Sequence, residues 1–521
     1  MGQNEDHIAE RAEDDDPSRT LEAGKPLYEL GRRISQENPT MKNVLTILLH
    51  AFLLVSIVKA QAPISDHPEV VGNIKLLEAW IQSQMAYRGL PGMSVGVVYD
   101  QKLVWARGFG YADVEKKIPA TPATIYRMAS VTKTFTATAV MQLRDAGKLS
   151  LDDPVAKHLP WFKINSQFVD APAITVRHLL THTSGLPREA AYPYWTDNKF
   201  PTIEQIKETL PNQEAVFAPE THLKYSNLAL ALGGAMVAEV SGEPYDAYVR
   251  RHILEPLGMN SSTVLFPTET HDRLAVAYGR RMPDGKREAR PETDCKGITP
   301  AANLSSTVED LSRYVAFQMS EGEVGGMLIL KSSTLREMHR VQWLHPDWKH
   351  GLGIGFAITR LDDRTIIGHG GWLAGYRTQI CFSPEEKIGV IVLTNADDGN
   401  PELYVKQIFA LLAPAIKKAV TPTRPVAKAD PEWNNFVGTY RDPWGDSETV
   451  VVNEELVMID PTADDPKESL VKLVPAGKNR FKIVAETFSY GEIGELVTFE
   501  MGADGKAVRM KVGENYMPRL K

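Results

Sequence analysis

The chain has 521 residues, 43% of them hydrophobic and 24% charged, an ordinary globular composition with enough apolar content for two or three cored domains. A net charge of −8 and the absence of any long basic run argue against nucleic acid as a partner. The two cysteines, Cys295 and Cys381, form no C-x-x-C, and neither H-E-x-x-H nor G-x-x-x-x-G-K-[ST] occurs, so nothing points to a metal or a P-loop.

Residues 1–40 are polar and acid-rich, with little to bury, and read as a disordered or non-native extension. Lys42 then precedes an apolar run from Val44 to Val58, and Val58-Lys59-Ala60 offers small residues at the cleavage positions. The run is shorter than the roughly 20 residues of a spanning helix. Residues 41–60 therefore read as a secretory signal peptide starting at Met41, and the expected location is periplasmic or secreted. Left uncleaved, the same run would anchor the chain to a membrane. An exported chain could join its two cysteines, but their spacing carries no framework signal, and two unpaired buried thiols are expected.

From 63 to 420 helical and strand patterns alternate. "NIKLLEAWIQSQMAYRG" has apolar residues at helical spacing, and "GMSVGVVYDQKLVWARGFG" reads as two strands turning near Asp100-Gln101. "SVTKTFTATAVMQLRDAGKL" is a helix stopped by Gly147. Residues 151–340 are mostly helices and loops. Strands return in "GLGIGFAITRL", "RTIIGHGG", "YRTQICFS" and "KIGVIVLTNA", and "ELYVKQIFALLAPAIKKAV" closes the region as a helix. Proline-rich 421–431 is a linker. Residues 432–521 carry short alternating segments and turn residues, the pattern of a small antiparallel barrel or sandwich.

Two serines compete for a catalytic role. Gly92-Met93-Ser94-Val95-Gly96 is a G-x-S-x-G, but a nucleophile elbow needs a strand before the serine and a helix after it. Ser94 has the reverse order and reads as a small packing residue on a strand. Ser130 and Lys133 form S-x-x-K at a helix start, one turn apart on one face. There the unpaired N–H groups and the helix dipole favour an oxyanion and disfavour a charged lysine. Bringing a lysine from about 10.4 to about 7 takes roughly 4–5 kcal/mol, which burial and the dipole could supply.

Tyr225-Ser226-Asn227 stands at the entry to another helix, and His369-Gly370-Gly371 followed by Trp372 ends a strand pattern. A tyrosine beside a cation can serve as a base, an asparagine offers both a donor and an acceptor, and strand glycines let a ligand approach the backbone. His178 and His182, four apart in "HLLTH", could be drawn as a metal pair, but no glutamate or third ligand accompanies them, and structural roles are expected. His369 as the base of a Ser-His-Asp triad lacks any aspartate picked out by context.

S-x-x-K, Y-x-N and H-G-G in this order, with "LLTHTSGL" at 179–186, resemble the serine β-lactamase and penicillin-binding-protein family. The nearest branch by pattern holds class C β-lactamases, family VIII carboxylesterases and D-aminopeptidases. Phe436-Val437-Gly438-Thr439-Tyr440 resembles the opening of the lipocalin-like domain that some members carry. The resemblance implies an α/β fold: an antiparallel sheet flanked by helices, a mostly helical subdomain, then a small all-β domain. It implies Ser130 as nucleophile, with Lys133 and Tyr225 sharing the base role. Asn227, His369, Gly370 and Gly371 would bind substrate, and the backbone N–H groups of Ser130 and Trp372 would form the oxyanion hole. No cofactor or metal is needed. Where many members have Lys-Thr-Gly, this chain has His369-Gly370-Gly371, which removes a fixed charge for a substrate carboxylate, speaks against efficient β-lactam hydrolysis and fits the esterase, amidase and D-aminopeptidase branches, with an exported carboxylesterase-type serine hydrolase expected first. A D-aminopeptidase, DD-peptidase or weak β-lactamase is the second expectation, and a non-catalytic penicillin-binding protein the third. The oligomeric state stays open.

Overall fold

The computed structural model describes residues 63–266, 271–361, 363–421, 429–452, 454–462, 469–486 and 493–520. The acidic extension, the signal peptide read at 41–60 and most of the linker lie outside them. The chain divides into two compact units, one through Ile416 and one from Lys417.

The first unit is built on a nine-stranded antiparallel sheet to which both ends of the unit contribute. Gly92–Tyr99 pairs with Lys102–Asp113 on one side and with Ile388–Thr394 on the other, Val95 facing Val392. Outward from Ile388–Thr394 follow Tyr376–Ser383, Arg364–Leu373 and Ala357–Leu361. The turn at Asp100 and Gln101 has positive φ at both residues, the twist that a tight hairpin of right-handed strands requires.

Both faces of the central strands are buried, so they read as near-continuous apolar runs. On one face, Val308 and Val315 of helix Val308–Gln318 lie where Cβ atoms on Gly96 and Gly389 would stand, 2.4 and 2.2 Å away, so glycine is what lets helix and sheet approach. Helices Pro68–Arg88 and Pro401–Val420 meet through Trp80 and Tyr404, ring centroids 5.4 Å apart.

The segment between Asp113 and Trp343 is made mostly of helices and loops. Its centre is helix Thr132–Asp145, buried almost all round. Thr134, Thr136 and Thr138 sit inside it because each hydroxyl donates to a nearby carbonyl, and Phe135 stacks on Tyr314 at 3.8 Å. Helix Asn227–Ser241 packs against it, capped by Ser226 and ended by Gly242 in the left-handed region.

The second unit is an eight-stranded antiparallel meander, from Gly438–Arg441 to Asn515–Pro518 in sequential order. A bridge between Tyr440 and Arg519 and the Leu520 N–H donated to Thr439 O bring the last strand back to the first, giving a near-closed barrel. Phe436, Phe481 and Phe499 form its aromatic core, with centroids 4.7–5.8 Å apart, and Tyr440 donates to Phe436 O. Eight strands enclose a space that side chains can fill.

Candidate active site

Ser130 sits in a 3-10 turn, Ala129–Val131, that runs into helix Thr132–Asp145. The preceding Ala129 holds φ +49°, a left-handed conformation a non-glycine residue adopts only under constraint. Lys133, one turn on, is fully buried, while Ser130 keeps partial exposure at the base of a cavity of about 860 Å³.

The Lys133 amine has three oxygens around it: Ser130 Oγ at 3.0 Å, Asn227 Oδ1 at 2.8 Å and Ala301 O at 2.8 Å. Burial pulls this lysine down to about 7, with Arg188 pushing the same way and Glu189 opposing. In the neutral form its two N–H bonds go to Ala301 O and Asn227 Oδ1, which have no hydrogen to give. The lone pair is then left for the Ser130 hydroxyl. The Tyr225 hydroxyl donates to Ser130 Oγ at 2.9 Å from the other side. Tyr225 lies against the His182 ring at 4.3 Å, with the Arg188 guanidinium 5.0 Å from its centroid. Burial outweighs that cation and pushes the phenol up to about 12, so phenolate is not its resting form.

Strand Arg364–Leu373 forms one wall and runs further than its pattern suggests, through Trp372. A Cβ on Gly371 would stand 2.1 Å from Met128 O and 2.4 Å from Thr378 Oγ1, so glycine lets this strand close on the segment leading to Ser130. The Thr378 hydroxyl donates to the same Met128 O at 3.0 Å. His369 donates from Nδ1 to Gly370 O at 2.6 Å, and burial beside Lys133 draws its imidazole down to about 4, so it is neutral at pH 7. Trp372 is 55% exposed at the cavity mouth; its Nε1 donates to Asp397 and Arg377 stacks on its ring at 4.9 Å.

All eight residues singled out from the sequence therefore line this cavity or stand directly behind it. Ser94 lies elsewhere: its hydroxyl bonds Thr121 O at 2.8 Å and Tyr126 Oη at 2.9 Å within the packed sheet. His178 and His182 have separate backbone roles. His178 Nδ1 accepts the Thr175 N–H in a capping box, and His182 Nδ1 accepts the Ser226 N–H beside Tyr225. Cys295 and Cys381 are buried and unpaired.

The sequence reading misses two contributors. Ala301 offers only a backbone carbonyl, which no side chain announces. Glu189 accepts from Asn227 Nδ2 at 2.8 and 3.1 Å, and its place two residues after "SGLP" is the single hint.

Residues 77–414 match the Beta-lactamase family model. The chain is 29% identical over 426 residues to "Beta-lactamase-like protein 2" of Dictyostelium discoideum, a match covering 77% of this chain and 76% of that protein. It is 28% identical to "Protein flp" of Staphylococcus aureus strain MW2, over 61% of this chain and 62% of that one. Among solved structures, the octameric penicillin-binding protein homologue from Pyrococcus abyssi is 29% identical with TM-score 0.59, covering 85% of this chain and 99% of the other. The hydrolase EstCE1 shares the fold at 24% identity and TM-score 0.58, over 66% of this chain and 99% of its own. With the model spanning most of the first unit and the fold in agreement, this chain belongs to the β-lactamase family, whose fold houses serine hydrolases.

Proposed function

We propose that the protein is an exported serine hydrolase that cleaves small ester or amide substrates, carboxylesters foremost, through an acyl-enzyme on Ser130. The observation that carries this reading is the chain of hydrogen bonds Tyr225–Ser130–Lys133, with a buried lysine drawn down to about 7 as its proton acceptor. Ser130 Oγ attacks the substrate carbonyl while its proton passes to Lys133 Nζ. The oxyanion forms beside the backbone N–H groups of Ser130 and Trp372. The proton then moves to the leaving oxygen or nitrogen, with the Tyr225 hydroxyl as relay, and the carbonyl–leaving-group bond breaks. Water attacks the acyl-Ser130, delivers a proton back through Lys133 and releases the acid. Lys133 is favoured over Tyr225 as the base because it is the more easily deprotonated of the two, the amine near 7 and the phenol near 12.

Neutral His369 favours esters over β-lactams, since it gives a substrate carboxylate no fixed charge. Likeness to the penicillin-binding protein homologue favours a second reading, hydrolysis of D-aminoacyl peptides or β-lactams. Turnover of p-nitrophenyl butyrate, nitrocefin and D-Ala-p-nitroanilide by wild type and Ser130→Ala separates the readings. Loss of ester turnover in Ser130→Ala supports the first, and equal rates in the two proteins sink it. Failure of wild type to label with a fluorophosphonate would instead favour a non-catalytic binding protein. Export rests on the apolar run 44–58 and Ala60, and N-terminal sequencing of secreted material tests it.

A further inference from the structure

The amide of Asn227 has two chemically opposite ends, and only one orientation suits its neighbours. Oδ1 receives an N–H from Lys133 at 2.8 Å, and Nδ2 donates to both Glu189 oxygens, at 2.8 and 3.1 Å. Turned by 180°, the amide would set its NH₂ against the N–H groups of Lys133 and its oxygen against a carboxylate. The first arrangement is needed to take up one Lys133 N–H and leave the lone pair for Ser130. Nothing within Asn227 enforces it. Glu189 does, because a carboxylate can only accept.

We propose that Glu189 is a positioning residue for the nucleophile: its carboxylate fixes the Asn227 amide with Oδ1 toward Lys133, and so aims the lysine lone pair at Ser130. This inference rests on the reading of Ser130 as nucleophile. The carboxylate is itself held. Tyr194 donates its hydroxyl to Glu189 Oε2, Arg188 Nε lies 3.2 Å from Oε1, and Gln213 Nε2 donates to the Glu189 backbone oxygen at 3.0 Å. Tyr194 is fully buried, so the anchor is built into the core of the helical subdomain.

A second consequence concerns pH. The titratable and charged groups around Lys133 are Tyr225, Arg188, Glu189, Cys295, His182 and His369. The two histidines are driven toward neutrality by burial, and the Cys295 thiol is pushed up to about 12, so it stays protonated. Glu189 and Arg188 remain as the charges that bias the lysine, in opposite directions.

The test compares wild type, Glu189→Gln and Glu189→Leu on p-nitrophenyl butyrate, measuring kcat, KM and the acid limb of kcat/KM against pH. Glutamine retains an acceptor oxygen for Asn227 but removes the charge that favours protonated Lys133. Its amide can present either end to Asn227, so it is expected to lower kcat by less than leucine does and to move the acid limb to lower pH. Leucine offers no acceptor, and loss of alignment is expected to lower kcat about 10²-fold with little change in KM. A Glu189→Leu enzyme with wild-type kcat, or a Glu189→Gln limb that is unmoved or shifted to higher pH, overturns the proposal. If Glu189→Leu does not fold, Glu189→Ala, which also offers Asn227 no acceptor, is read for the same fall in kcat. Wild type without esterase activity, or an active Ser130→Ala, ends the parent reading instead. An active wild type whose Glu189 variants behave like it ends this one alone.

Discussion

Lys133 matters because its ammonium form is expensive where it lies. Moving a lysine to about 7 corresponds to roughly 4–5 kcal/mol of bias against charge, and burial is the main source. As proton acceptor it must be neutral, so activity is present above that value and lost as pH falls through it. A pH profile of kcat/KM on p-nitrophenyl butyrate is expected to show its acid limb near 7. His369, drawn down to about 4, adds no step between 6 and 7. A limb near 10 would mean that the group losing its proton is not a lysine drawn down by burial. Tyr225→Phe keeps the ring against His182 but removes the donor to Ser130, and a loss of about 10²-fold or more in kcat is expected, the usual size for a proton-transfer group. Ser94→Ala separates stability from chemistry. It leaves the buried Tyr126 hydroxyl without its partner, which should cost about 1–3 kcal/mol in urea denaturation while esterase activity per folded molecule is kept.

At the scale of the element, glycine has opposite meanings in two places. Gly371 lies where a strand passes the carbonyl of Met128, two residues before Ser130, with no room for a methyl group. Gly371→Ala is expected to cost about 1–3 kcal/mol through overpacking, and activity as well, because the strand must back away from the nucleophile segment. Gly72 is exposed in helix Pro68–Arg88, nothing lies within 4 Å of an added Cβ, and its φ is not positive. Gly72→Ala should therefore stabilise by about 0.5–1 kcal/mol, read as a higher urea midpoint with unchanged kcat. These elements were largely legible in the sequence. Apolar runs on either side of the Asp100-Gln101 turn mark Gly92–Tyr99 and Lys102–Asp113, Gly147 marks the end of the Ser130 helix, and Ser226 marks the start of the helix at Asn227. The strand through Trp372 reads short, because its glycines hide the pleat pattern on which recognition of a strand depends.

At the scale of the molecule, the first unit holds a large core around the Ser130 helix and the second an aromatic core of its own. Phe499 is 2% exposed and touches Phe436, Tyr440 and Phe481, so Phe499→Ala should cost about 3–5 kcal/mol in the barrel. Calorimetry of the full chain is expected to show one transition lowered and the other kept, with fluorophosphonate labelling of Ser130 retained. A single transition that shifts as a whole would mean that the two cores unfold together. By itself the sequence determined the order of elements, the all-β character of the tail and the Ser130–Lys133 pair, because each is written in relations between residues a few positions apart. It could also dismiss Ser94, since the order of helix and strand around a serine is local. Only the tertiary structure decided what surrounds the lysine. Ala301 O comes from 168 residues away, and Asn227 is oriented by Glu189, 38 residues before it. Desolvation is a sum over every neighbour that the fold brings in, and no spacing along the chain encodes that sum.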